Sequence, residues 1–508
     1  MELFDNLMLG FSVAFTPENL AYALLGCILG TLIGVLPGIG PVPTIAMLLP
    51  ITYVLPPVAG LIMLAGIYYG AQYGGSTTAI LVALPGETSA VVTVLDGHQM
   101  ARNGRAGAAL AIAALGSFFA GCVATLLLAA FAPPLAEVAF KFGPAEYFSM
   151  MMLGLLAGAT LAKGSAIKGV AMVVVGLLLG VVGTDVNTGT MRFHFGILEL
   201  SDGLQIVALA MGLFGVADFL KNINRIGGDA KVTTAKISMK SMRPEAGDIK
   251  QSRGALVRGT AIGAAFGILP GTGPTIASFI SYATEKKVAR EPRRFGRGAI
   301  EGIAGPEAAT SASTQTSFIP TMSLGIPGDP VMALMLGALI IHGIQPGPQM
   351  MVEHADMFWG LIASFWVGNV LLLLLNLPLI GMWVRLLTVP FRYLFPAALF
   401  FVCVGVYSTN NNLFDVAMVT LFGAAGYALI RMRFEPAPLL LGFVLGPMVE
   451  ENFRRALLLS RGDLAIFVSR PISLGFVVAC VALIALLVVS AMRQRKGREA
   501  LKQAESSA

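Results

Sequence analysis

Two copies of one motif, Pro37-Gly38-Ile39-Gly40-Pro41 and Pro270-Gly271-Thr272-Gly273-Pro274, stand in a strongly apolar chain. The stretches 34–41 and 267–274 agree at six of eight positions, offset by 233 residues. A second pair, Leu84-Pro85-Gly86-Glu87 and Ile326-Pro327-Gly328-Asp329, is offset by 242. Each pair brackets a small polar run, Ala71 to Thr78 in one half and Thr310 to Ser317 in the other. Proline interrupts a helix, and a helix that restarts presents free N–H groups and a positive dipole end. Glycine keeps that backbone approachable. The chemistry suits an anion such as a carboxylate.

The candidate substrate-binding residues are therefore Gly38, Gly40 and Pro41, with Gly75, Ser76, Thr77 and Thr78 from the first polar run. Their counterparts are Gly271, Gly273, Pro274 and Thr275, with Ser313, Thr314, Gln315 and Thr316 from the second. No Lys or Arg occurs from Met1 to Ala101 or from Gly298 to Val384, so dipoles and hydroxyls would hold the anion. The plainer alternative is that Gly and Pro only allow close packing and kinks, while the hydroxyls bond back to their own helices. Glu87 and Asp329 share one repeat position and have three readings: binding Na⁺, relaying protons, or capping the helix that follows. Glu301 and Glu307 are similar candidates near the second site, and Asp96 is expected at an interface. His98, His194, His342 and His354 share no ligand spacing, so neither a metal nor a catalytic site is expected.

These breaks need a membrane-embedded scaffold. Of 508 residues, 56% are hydrophobic and 12% charged, about half the charge of a soluble domain. The chain reads as an all-α polytopic membrane protein with roughly 10–12 membrane segments, some of them re-entrant. Spans are expected at 107–131, 147–162, 169–183, 204–220, 357–377, 395–409, 413–430, 437–452 and 471–492. The expected divisions are a first transmembrane repeat (1–220), a basic cytoplasmic linker (221–258), a second repeat (259–452), and a terminal span with its tail (453–508).

Charge orients these elements. From Lys221 to Arg297 there are fifteen Lys/Arg and five Asp/Glu, a local +10 against 34 − 28 = +6 overall. By the positive-inside rule, Arg102 and Arg105, Lys163 and Lys168, and the 221–258 linker are cytoplasmic. The N-terminus, a loop near Pro133-Pro134 and residues 184–203 then lie outside. The second motif sits between basic clusters at Arg258 and Lys286, so a hairpin returning to the cytoplasm fits better than a crossing. The first, flanked only by acidic or uncharged residues, suits a hairpin entering from outside. The repeats are thus expected to be inverted. Arg454, Arg455, Arg461 and Arg470 fall in an external loop, against the rule.

Other classes find little support. Cys27, Cys122, Cys403 and Cys480 lie singly in apolar runs, which argues against a disulfide framework or zinc site. No basic n-region marks a cleaved signal peptide, no phosphate-binding loop indicates an ATP-driven machine, and nothing points to nucleic acid.

The repeated G-x-L-P-G-x-G-P element, Tyr69-Gly-Ala-Gln-Tyr-Gly-Gly-Ser-Thr-Thr78, Leu84-Pro-Gly-Glu87 and Gly325-Ile-Pro-Gly-Asp329 resemble the large membrane subunit of tripartite tricarboxylate transporters. The resemblance spans essentially the whole chain. It implies cation-coupled import of citrate-like or other carboxylates across the bacterial inner membrane, with Na⁺ or H⁺ as coupling ion and no other cofactor. It also implies a small four-helix membrane subunit and a periplasmic substrate-binding protein, and leaves oligomerisation open. Alternating access around a midplane site, preferably by an elevator motion, is the expected mechanism. A passive anion channel and a membrane-embedded enzyme are the rivals.

Overall fold

The computed structural model describes residues 2–36, 40–83, 86–160, 166–185, 188–222, 241–269, 273–386, 399–400, 402–404, 406–407 and 411–485. Gly38 and Gly271, most of the 395–409 span, most of the linker and the C-terminal basic cluster lie outside them. Almost all regular structure in the described residues is helical, as a bilayer demands, because helices satisfy their own backbone groups. A single two-stranded ladder, β1 (Gly183–Thr184) with β2 (Met191–Arg192), is the exception among them.

The chain opens with α1 (Glu2–Ala14), α2 (Pro17–Val35), α3 (Pro41–Thr52) and α4 (Pro57–Val82). Then follow α5 (residues 91–102, with a π-helical stretch Val94–His98), α6 (Ala106–Ala139), α7 (Pro144–Thr160), α8 (Ala166–Gly180) and α9 (residues 206–222, π-helical over Met211–Val216). The second half contains α10 (Ala246–Ile268), α11 (Gly273–Val288), α12 (Glu301–Thr316), α13 (Phe318–Leu324) and α14 (Pro330–Ile341). It ends with α15 (Ala355–Asn376), α16 (Ile380–Leu386), α17 (Leu413–Arg431), α18 (Ala437–Leu459) and α19 (Pro471–Ala485). Among the described residues α2, α6, α15 and α17 are long and apolar enough to cross a membrane.

Several expected boundaries shift. Helix α6 continues through Pro133 and Pro134 to Ala139, where a loop was expected; neighbouring helices in a membrane tolerate the lost N–H bonds. Helix α10 begins at Ala246, within the expected linker, because Glu245 and Asp248 form a reciprocal capping box. Asp248 also binds Arg105 at 2.6 Å, tying that helix start to the base of α6. Both polar runs are helical: Ala71 to Thr78 lies inside α4, and Thr310 to Thr316 forms the end of α12 with Ser317 as its C-cap.

The fold has two compact units. The first comprises 1–139 and 204–432, the second 140–203 and 433–508. Helix α4 is the axis of the first. At 26 residues it is about 39 Å long, and it is buried at every position from Ala59 to Leu81. Gly26, Gly30 and Gly34 of α2 press against the carbonyl oxygens of Met63, Ile67 and Ala71, while Gly66, Gly70 and Gly74 of α4 meet the α2 backbone in return. Small residues let two backbones touch, the usual basis of helix association in lipid. The same ladder recurs later: Gly259, Gly263 and Gly267 of α10 press against the carbonyl oxygens of Gly305, Ala309 and Ser313 of α12. The glycines are offset by 233 and their partners by 242, the two offsets of the motifs.

In the second unit α8 and α18 pack through Gly176 against the Leu439 carbonyl and Gly442 against the Val173 carbonyl, and Gly158 of α7 meets the Leu441 side chain of α18. An ionic network closes one end. Arg454 binds Asp185 at 2.8 Å and Glu450 at 2.6 Å, and Arg192 binds Glu450 at 2.6 Å, which raises the guanidinium's pKa. Arg470 binds Glu146 at 2.7 Å and Arg455 pairs with Glu451. Three of the four arginines that strained the charge rule thus have carboxylate partners.

Candidate functional site

One face of α4 organises the polar interior of the first unit. Tyr68, Gln72 and Ser76 are spaced by four residues and so share a face. Each binds a different carboxyl group. The Tyr68 hydroxyl donates to Asp329 Oδ2 at 2.8 Å, Gln72 Nε2 to Glu87 Oε1 at 2.9 Å, and Ser76 Oγ to Glu307 Oε2 at 2.6 Å. Ser89 Oγ donates to Gln72 Oε1 at 2.9 Å, which fixes the orientation of that amide. Thr93 of α5 donates to the other oxygen of Glu307. Asp329 and Glu307 are only 5% and 4% exposed. Among the described residues no Lys, Arg or His forms an ion pair with any of the three acids. Burying a carboxylate without compensation is very unfavourable, so this interior calls for a cation or protons.

The helix breaks converge beside the stripe. Gly40 (φ +65°) precedes α3 and Gly273 (φ +59°) opens α11, both in the left-handed region that favours glycine. Gly86 lies against the Gly34 carbonyl and Gly75, and Gly328 against the Gly267 carbonyl and Ser317. These are matched contacts at the 233 and 242 offsets. Any side chain at Gly40 would reach the Gly86 carbonyl, and one at Gly273 would touch Asp329. The starts of α3 and α11 therefore each lie beside the acidic turn of their own half. The start of α11 also reaches the acidic turn of the first half: the hydroxyls of Thr88 and Thr275 are 2.7 Å apart. Pro41 and Pro274 are buried in the first turns of α3 and α11.

The two equivalent acids have different surroundings. Asp329 is the N-cap of α14, accepting from Met332 N at 2.9 Å. Glu87 starts no helix, and its Oε2 is buried without a hydrogen-bond partner.

Most of the expected hydroxyl ligands are engaged by backbone. Thr77 donates to Tyr73 O at 3.3 Å, Thr314 to Thr310 O at 2.9 Å and Thr316 to Ala312 O at 3.0 Å, the i−4 bond open to a hydroxyl inside a helix. Thr78 reaches further, to Val35 O at 2.9 Å, and satisfies an end-carbonyl of α2 at the break. Gln315 turns to Thr125 and to Asn369, 3.2 Å away. Among the polar-run candidates only Ser313 has a side-chain oxygen without a partner.

Sequence reasoning missed Tyr68, Gln72 and Thr93, although the four-residue spacing of 68, 72 and 76 was there to be read. It also underrated Asp96. Asp96 is fully buried, accepts from the backbone N–H of Gly296, Gly298 and Ala299 at 2.8 Å each, and takes the Tyr282 hydroxyl at 2.9 Å. It moors the basic segment before α12 to α5.

The profile of the tripartite tricarboxylate transporter TctA family matches residues 20–441, from α2 into α18 and across both hairpins and all three acids. The chain belongs to this family. It is thus a multi-pass membrane protein and, at the level of the family, a large subunit of a tripartite tricarboxylate transport system. An Agrobacterium vitis protein described as "Uncharacterized 52.8 kDa protein in TAR-I ttuC' 3'region" is 54% identical over 498 residues, 98% of this chain and 99% of its own length. A second from the same organism, "Uncharacterized protein in TAR-II ttuC' 3'region", is 54% identical over 236 residues, 46% of this chain and 98% of its own. No solved structure matches significantly.

Proposed function

We propose that this TctA-family subunit imports tricarboxylates or related carboxylates across the bacterial inner membrane by cation-coupled alternating access. A periplasmic binding protein would deliver the substrate, and a small four-helix membrane subunit would complete the complex. The observation that carries the reading is the meeting of the α11 start with the acidic turn of the other half, beside three carboxyl groups, Glu307 and Asp329 buried and Glu87 half-buried, that have no Lys, Arg or His partner among the described residues. The restarted helices offer N–H groups to an anion. The nearby acids would repel it. Neutralising them with Na⁺ or H⁺ removes that repulsion, and this is the physical basis for coupling: the anion enters when the cation is bound. Inverted repeats would let the same groups face each side in turn.

The test is uptake of a labelled carboxylate into liposomes containing the complete complex, with and without a Na⁺ or H⁺ gradient. Accumulation that depends on one gradient supports the proposal. Equal flux without any gradient would indicate a channel, and chemical conversion of the substrate an enzyme; either overturns it.

A further inference from the structure

A small cavity lies beside Ser76, lined by Tyr73, Ser76, Thr77, Ser117, Glu307 and Asn376 and closed by aliphatic side chains of α6 and α16. Its volume of ≈ 10 Å³ holds about one water-sized occupant. All six polar residues are at most 7% exposed. Two of them have oxygens without a hydrogen-bond partner among the described residues, the Tyr73 hydroxyl and Asn376 Oδ1. The Asn376 amide is oriented by its own donor, Nδ2 to Leu372 O at 2.9 Å, which leaves Oδ1 as a free acceptor. Buried acceptors are rarely left unsatisfied.

We propose that this chamber binds one Na⁺ ion, with Glu307 supplying the charge and Tyr73, Asn376 and the Ser76 and Ser117 hydroxyls completing an oxygen shell. The polar groups free to ligate are all oxygens, which suits a hard cation, and a single carboxylate matches a single positive charge. Divalent ions take more carboxylate or more water than the cavity admits. A proton needs no cavity and would leave the Tyr73 and Asn376 acceptors unused. Ser76 and Thr93 both direct hydroxyls at Glu307, which suits an ionised carboxylate. The site is separate from Glu87 and Asp329, the repeated acids that sequence brings to notice. It rests on the cation-coupled reading above and assigns that reading its ion.

Thermal melts of the purified full chain, titrated with NaCl against choline chloride at constant ionic strength and without carboxylate, test this directly. Na⁺ should raise Tm saturably while choline does not. Glu307→Gln should abolish the response. Tyr73→Phe and Asn376→Ala, which perturb folding less, should each raise the half-saturating Na⁺ concentration about tenfold, and Glu353→Gln at an exposed helix end should leave it unchanged. Equal melts in Na⁺ and choline, or an unaltered Na⁺ response in both Tyr73→Phe and Asn376→Ala, overturn the assignment. Proton-driven uptake without any Na⁺ response would overturn the site and leave the transport reading standing. A normal Na⁺ response with no carboxylate uptake by the complete complex would do the reverse.

Discussion

The Tyr68 hydroxyl of α4 donates to Asp329 at 2.8 Å across 261 positions of chain, joining the first sequence half to the helix-capping acid of the second. Asp329 also accepts from Met332 N, so one carboxyl group holds both the start of α14 and the face of α4. The halves are coupled through this acid.

Tyr68→Phe keeps the ring that stacks on Tyr69 and removes only the donor. A hydrogen bond to a charged group contributes about 1.5–3 kcal/mol, so Tm should fall while the protein still inserts. Asp329→Asn should retain the cap and melt closer to wild type than Asp329→Ala, which should lose a further ~1 kcal/mol. Melts of the three variants in one detergent check the order; Asp329→Ala melting above Asp329→Asn would contradict the capping role.

The two glycine ladders predict matched behaviour at matched positions. A methyl group at Gly30 would collide with the Ile67 carbonyl, and one at Gly263 with the Ala309 carbonyl. Backbone cannot yield as a side-chain tip can, and overpacking costs about 1–3 kcal/mol even for small additions. Gly30→Ala and Gly263→Ala should therefore destabilise to a similar degree, and Gly30→Leu and Gly263→Leu should give no folded protein by size-exclusion chromatography. Gly215→Ala, with open space around it, is the control.

Much of this was legible because the constraints repeat in the chain itself. The Pro-Gly breaks, the polar runs and Gly26-x-x-x-Gly30-x-x-x-Gly34 are local patterns, and their second copies marked the positions that need no side chain. The ladder's partner helix was not legible, because α4 is too polar to stand out as a span and only the fold shows Met63, Ile67 and Ala71 behind those glycines. The different surroundings of Glu87 and Asp329 were also hidden. Both follow Pro-Gly, yet only Asp329 is followed by an immediate helix start at Pro330. The stripe of Tyr68, Gln72 and Ser76 is periodic in sequence, but its meaning depends on acids that lie 15 to 261 positions away. Hydropathy also concealed the continuation of α6 past Pro133, where proline suggested a turn.

Thr77 and Thr78 are adjacent, equally buried threonines with unequal tasks. Thr77 bonds only to a carbonyl of its own helix, whereas Thr78 closes the end of α2 at Val35 O. Thr78→Val leaves a buried carbonyl unsatisfied and should cost about 1–3 kcal/mol, while Thr77→Val should be near neutral. Melting temperatures decide it: equal shifts would show that the end of α2 does not depend on Thr78.

The Thr88 and Thr275 hydroxyls are 2.7 Å apart, so cysteines at these positions fall within the reach of a disulfide. The contact spans the two halves at the point where the hairpin of one meets the acidic turn of the other. If transport requires these elements to separate, fixing them must stop it. In a background with Cys27, Cys122, Cys403 and Cys480 replaced, Thr88→Cys combined with Thr275→Cys should take up substrate when reduced and lose uptake by at least about tenfold when oxidised, with recovery on reduction. Each single substitution should be insensitive to oxidant, which separates the cross-link from damage to the site. Full uptake by a demonstrably cross-linked protein would mean that the start of α11 and the acidic turn of the first half move together as one body, and any alternating motion would then have to occur elsewhere in the subunit.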